Sequence, residues 1–104
     1  MTAYFIVRAK LGDPALRDDF DRWYEKEHLP DAHKGFGARR AWRGWSVTEP
    51  LVHCACYEFD DIAKARAIQT SDPLKHLVAE FDRVWGDKVT RTRELIEVAQ
   101  TLAT

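Results

Sequence analysis

The sequence predicts an α+β domain with the element order βαββαβ. Three observations carry this prediction. Residues 3–10 and 52–59 are aromatic or β-branched and apolar on both alternating faces. The stretch after each of them spaces its apolar residues as a helix does. Residues 38–48 and 89–99 mix charge with apolar residues, which suits edge strands. At 104 residues the chain has room for one domain, residues 1–104, and no more.

The first strand, AYFIVRAK, sets Tyr4 and Ile6 on one face and Phe5, Val7 and Ala9 on the other. Gly12 marks a turn. Asp13-Pro14 then reads as a helix N-cap followed by proline at the first helical position. Leu16, Phe20, Trp23, Tyr24 and Glu27 form the packing face of that helix, with Arg17, Asp18, Asp21, Arg22 and Lys26 on the wet side. Pro30 biases Leu29 away from helical geometry, so the helix is expected to end there, and Lys34-Gly35-Phe36-Gly37 to be a loop.

The second strand, within residues 38–48, alternates Arg40, Trp42 and Gly44 against Ala41, Arg43, Trp45 and Val47. Glu49-Pro50 turns the chain into VHCACYEF, the third strand. Asp60 or Asp61 caps a helix carrying Ile62, Ala65 and Ile68. Ser71-Asp72-Pro73 interrupts it and starts a second piece with Leu74, Leu77, Val78, Phe81 and Trp85, which Gly86 ends. The last strand falls within residues 89–99.

This order is that of the split-βαβ, ferredoxin-like fold, with strands one and three central in a four-stranded antiparallel sheet. Both crossovers place their helices on one face. The other face is left bare, with either the Tyr4/Ile6 row or the Phe5/Val7 row on it. A bare apolar sheet face marks an interaction surface, and a second copy related by a two-fold axis is the simplest cover. A homodimer closing through these faces into an α+β barrel is therefore expected.

Composition narrows the partners. Hydrophobic residues make up 45% and charged residues 32%, with a net charge of -1. That balance lacks the basic footprint of a nucleic-acid-binding protein. No apolar run approaches the ~20 residues of a membrane helix, and MTAYFIVRAKLGD lacks the basic and apolar regions of a secretion signal. A cytoplasmic protein with neither nucleic-acid nor membrane partner is expected. Cys54 and Cys56 lie two apart on one strand face, ~6.5–7 Å along it, at the far edge of disulfide reach. They read as small buried hydrophobes. His53 beside them does not complete zinc-site spacing, so no metal is expected.

The segment W-Y-x-x-E-H-L-P-D at residues 23–31, the stretch WGDKVTRTREL at residues 85–95 and the element order resemble the dimeric α+β barrel superfamily, most closely its EthD-like branch. The superfamily includes polyketide cyclases, muconolactone isomerases, haem-degrading and quinol monooxygenases, and members with no assigned activity. The resemblance implies the fold and a small-molecule site but no single reaction. No haem ligand is identified, and no cofactor is expected.

Several residues are candidates for chemistry. His28 follows Tyr24 by four and Phe20 by eight, so all three share a helix face. An imidazole there could carry a proton, with a pKa near neutral, or could bond carbonyls freed at the helix end. Asp31 could orient His28 or close its own turn. Glu27 has the choice of a buried acid or a half-exposed ion pair. His53 and Tyr57 form a polar pair in an apolar strand row, able to orient a phenol, enol or carbonyl; a satisfied core histidine is the competing reading. His33 and His76 read as surface residues. There are four tryptophans. Trp23 and Trp85 fit helix core faces, while Trp42 and Trp45 lie on opposite strand faces, one to pack and one to line a pocket or the dimer seam. No Ser-His-Asp order, P-loop or GxGxxG is present.

Together these readings make His28, His53 and Tyr57 the candidate catalytic residues. Trp23, Tyr24, Asp31, Trp42 and Trp45 are the candidate ligand-binding residues. The expected ligand is a small aromatic or polyketide-like carbonyl compound held between sheet and helices. The expected chemistry is cofactor-free cyclisation, isomerisation or oxygenation. The alternative is a dimer that binds a small molecule or a protein without catalysis.

Overall fold

The computed structural model describes residues 1–103. Its elements are β1 (Ala3–Leu11), α1 (Arg17–Trp23), α2 (Leu29–Phe36), β2 (Arg40–Trp45), β3 (Val52–Phe59), α3 (Ile62–Ile68), α4 (Asp72–Trp85) and β4 (Val89–Glu97). The strands form one antiparallel sheet in the order β2-β3-β1-β4, with the two apolar strands central as expected. This is the ferredoxin-like α+β arrangement.

The caps follow the local chemistry. Asp13 Oδ1 accepts from the Ala15 amide, Asp61 Oδ1 from Lys64 and Ser71 Oγ from Leu74. Each thereby satisfies an amide that the helix start leaves without a partner. Asp61, not Asp60, is the cap of α3.

The largest departure from the sequence reading lies at Pro30. The helix does not stop at Leu29 but runs to Phe36, and residues 34–36 are helical rather than loop. A π-helical segment, Tyr24–His28, joins α1 to α2, and the Leu29 amide donates to the Tyr24 carbonyl five residues back. Proline has no amide hydrogen and its ring clashes with the carbonyl four residues earlier. The wide turn absorbs that misfit, and Pro30 then falls in the first turn of α2, where a missing donor costs nothing. Gly37, at φ 61°, ends α2 in the left-handed conformation. The wider turn also rotates Glu27 into solvent, away from the packing face assigned to it by α-helical spacing. His33 is exposed, but on α2 rather than in a loop. The second strand is shorter than residues 38–48, beginning at Arg40 and ending at Trp45.

The Phe5, Val7, Ala9 and Leu11 row of β1 and the His53, Ala55, Tyr57 and Phe59 row of β3 face the helices and are buried. They meet Phe20, Tyr24, Ala32, Phe36, Leu77, Phe81 and Trp85 from the helical layer. The other face of the sheet carries Tyr4, Ile6, Arg8, Val52, Cys54 and Cys56, with no helix over it. Both cysteines are free, and burial pushes the Cys56 thiol up to about 11.

Candidate functional site

Between the helix-facing side of the sheet and helices α2 and α4 lies a narrow cavity of about 20 Å³, room for one water molecule. Its floor is Phe5, Val7 and Tyr57 from the central strands. Tyr24, His28, Ala32 and Phe36 close one side, and Leu74, Leu77, Val78 and Phe81 of α4 the other. Arg91 and Arg93 of β4 complete the wall. The lining residues that reach solvent are Arg93 and, in part, Leu74, Val78 and Arg91, so the mouth opens between α4 and β4.

His28 is 8% exposed and stacks on Trp23, with ring centroids 4.4 Å apart and an interplanar angle of 21°. Residues five apart on an α-helix are turned about 140° from each other and cannot stack; the π-helical turn makes this contact possible. Tyr24 meets the imidazole edge-on at 4.9 Å. Burial, and secondarily the Arg91 charge, depresses the His28 pKa to about 4. The imidazole is therefore neutral near pH 7, below the near-neutral value expected from sequence. A neutral imidazole has one acceptor nitrogen, which can take a proton, and one N–H that donates a hydrogen bond. On its outer side His28 borders a second, polar cleft of about 140 Å³ with Trp23, Glu27, Asp31, Leu77, Glu80 and Arg83.

Burial, the leading cause in each case, raises the pKa of both the Tyr24 and the Tyr57 phenol. Both stay protonated and can donate to an oxygen in the cavity. Arg91 lies with its guanidinium carbon 3.9 Å from the Phe81 ring centroid and its Nη2 donating to Asp82 Oδ1 at 2.6 Å.

His53 is fully buried but does not line the cavity. Its ring sits behind Tyr24, centroids 4.3 Å apart, with Phe20 and Trp45 edge-on at 5.2 and 5.0 Å. Arg43 Nη1 makes a long contact of 3.4 Å with Nε2. A guanidinium only donates, so Nε2 accepts and the neutral ring carries its hydrogen on Nδ1, which has no partner. The same Arg43 nitrogen donates to Asp21 Oδ1 at 2.8 Å, and Trp45 Nε1 donates to that oxygen at 2.8 Å. These two bonds, Arg43 first, hold the Asp21 carboxyl below its usual range.

Three of the sequence candidates, His28, Tyr57 and Tyr24, thus converge on one cavity. Trp23 and Asp31 stand at the outer cleft on the far side of His28. Trp45 packs around His53, and Trp42 is 49% exposed on the opposite sheet face, so neither tryptophan lines the cavity. Sequence reasoning missed Arg91 and Arg93. The signal was in the register: Arg91 pairs with Ala9 and Arg93 with Val7, and both partners sit in the helix-facing row. Among the described residues no cluster of histidine, cysteine, aspartate or glutamate could hold a metal ion. None of the described helices is long and apolar enough to cross a membrane.

No protein-family model matches the sequence, and no curated protein matches it. Solved structures do match. An ethyl tert-butyl ether D (EthD) family protein from Bacillus halodurans superposes with a TM-score of 0.70 at 19% identity, covering 94% of this chain and 99% of the other. A variant of SnoaB, a cofactor-independent oxygenase from Streptomyces nogalater, superposes at 0.69 and 15% identity, covering 99% of this chain and 98% of the other. HapK from Hahella chejuensis superposes at 0.69 and 17% identity, covering 98% of each chain. These matches show the ferredoxin-like α+β fold, as the element order and the resemblance at residues 23–31 implied. They do not carry an activity across.

Proposed function

We propose that this chain is a homodimer that binds a small aromatic or polyketide-like carbonyl compound between sheet and helices and moves a proton on it without a cofactor. The observation that supports this reading is the convergence of a neutral imidazole (His28), two protonated phenols (Tyr24, Tyr57) and a guanidinium (Arg91) on one apolar cavity. His28 takes a proton from carbon next to the carbonyl. Tyr24 and Tyr57 donate to the carbonyl oxygen, and Arg91 stabilises the enolate that forms. The enolate then attacks a second carbonyl, is reprotonated at another carbon, or reacts with dioxygen; these are cyclisation, isomerisation and oxygenation. SnoaB, of the same fold, is a cofactor-independent oxygenase, which agrees with chemistry of this kind. His53 acts behind the site, bracing Tyr24.

A ligand must widen the cavity. The narrowness of the closed cavity favours the second reading, a dimer that binds a small molecule or a protein without chemistry.

The two readings separate on His28→Gln, assayed for binding and turnover against a panel of aromatic and polyketide-like ketones. The enzyme reading expects affinity to be kept and turnover to fall by about 10²–10⁴-fold, the usual worth of a general base. Unchanged turnover ends the role of His28, and binding without turnover in the parent protein leaves the non-catalytic reading.

A further inference from the structure

We infer that the ligand of this cavity is a flat aromatic or enolic carboxylate, with its anionic end between Arg91 and Arg93 at the mouth and its ring against Tyr24, Tyr57 and Phe81. The inference deepens the proposed function and rests on the cavity being a binding site.

The charge balance of the lining carries it. Two guanidiniums line the cavity and no carboxylate does. Arg91 and Arg93 alternate along β4 onto the same face, about 6.5–7 Å apart along the strand. The Arg91 side chain is only 16% exposed, and its one ion-pair partner, Asp82, is largely in water. Arg93 has no ion pair among the described residues. Two cations against one carboxylate leave an unbalanced positive charge where water is partly excluded. Burial first, and then the Arg93 charge, lowers the Arg91 pKa, so the two cations repel each other and an anion would relieve them.

The rest of the lining selects among anions. Phe5, Phe36, Leu74, Leu77, Val78 and Phe81 make most of the lining apolar, which suits a flat organic body behind the charge better than a compact, strongly hydrated phosphate or sulfate. Two guanidinium forks match the two oxygens of a carboxylate, and the aromatic walls match a flat body behind it. The same anion would offset the Arg91 charge, which after burial is the second cause of the low His28 pKa.

Benzoate and benzamide share a shape and differ in charge. Each is titrated at low ionic strength into the full chain, into Arg93→Gln and into Arg66→Gln, whose residue is exposed on α3 away from the cavity. Binding is followed through the methyl resonances of Leu74, Leu77 and Val78. The expected result is an approximately tenfold or greater preference for benzoate, weakened by salt. It falls to near unity in Arg93→Gln, with benzamide affinity unchanged, and persists in Arg66→Gln. Equal binding of both probes, or a preference that survives Arg93→Gln, overturns the carboxylate inference and leaves the cavity as a binding site. If neither probe moves the cavity methyls at millimolar concentration, the inference and the binding-site reading fall together.

Discussion

His28 and His53 are both held neutral, but by different surroundings. Desolvation leads in each case. The second influence on His28 is Arg91, opposed by Glu80; on His53 it is Arg43, opposed by Asp21. Both pKa values fall from 6.5 to about 4. Below pH 6.5 the unfolded chain binds protons on these two imidazoles while the folded chain does not, until pH approaches 4. Their contribution to stability is therefore complete above pH 6.5 and is lost as pH falls toward 4. Each accounts for up to about 3 kcal/mol across that window. Asp21, held low by Arg43 and Trp45, loses its share only at lower pH still, below the ordinary aspartate value of 3.8. Urea unfolding from pH 7.5 to 4 is expected to show a falling stability, with roughly half the slope removed in His53→Gln. A flat profile over that range would mean that both rings are solvated. That His28 shares a face with Tyr24 was legible in the sequence, because a spacing of four survives the wider turn. The pKa was not legible, because it depends on Trp23, Phe81 and Arg91, which come from three elements.

The π-helical turn is the element on which the site depends, and it is where local reading gave out. Proline rules describe what an α-helix cannot do, and they place a boundary at Leu29. They do not say that a five-residue bond from Leu29 to Tyr24 can carry the chain past the proline. Once past it, Ala32 and Phe36 reach the core, four apart on one face of α2. The strands were easier to read. Alternation in β3 gave residues 52–59 with both ends in place, because each face of a central strand has its own packing demand. β4 kept its position but hid its arginines, since an edge strand reads as polar whichever face the charge takes. The end of α2 gives a direct test of the corrected boundary. Gly37 at φ 61° donates its amide to the Lys34 carbonyl, and a Cβ there meets nothing within 4 Å. Gly37→Ala is thus expected to cost about 1 kcal/mol from backbone strain alone, with no steric clash. Thermal unfolding measures it. No loss would mean that residues 34–37 are the loop that proline rules suggest.

At the scale of the whole molecule, the two faces of the sheet differ in what covers them. One holds the cavity under the helices. The other is bare and mixed: Trp42 and Ile96 are 49% and 39% exposed, Ile6, Val52 and Cys54 are half-buried, and Arg8–Glu94 and Tyr4–Glu58 supply polar contacts among them. Apolar residues interleaved with satisfied charge on this face suit the seam of the proposed homodimer. A cover confined to this face leaves the mouth between α4 and β4 clear, because the two lie on opposite sides of the sheet. A second copy, sheet against sheet, can therefore form without closing the site, and removing apolar surface from water at ~25 cal/mol per Å² would drive it. Trp42 is the probe, since its side chain belongs to the bare face and its loss leaves the helix-facing core intact. Trp42→Lys places a charge on each side of the proposed seam. It is expected to raise the dimer dissociation constant by tenfold or more while circular dichroism stays native. Sedimentation equilibrium at micromolar concentration reads the outcome. A dimeric parent protein and a dissociated, folded variant support association through this face. A monomeric parent protein removes the homodimer, and a variant that stays dimeric moves the seam elsewhere on the chain.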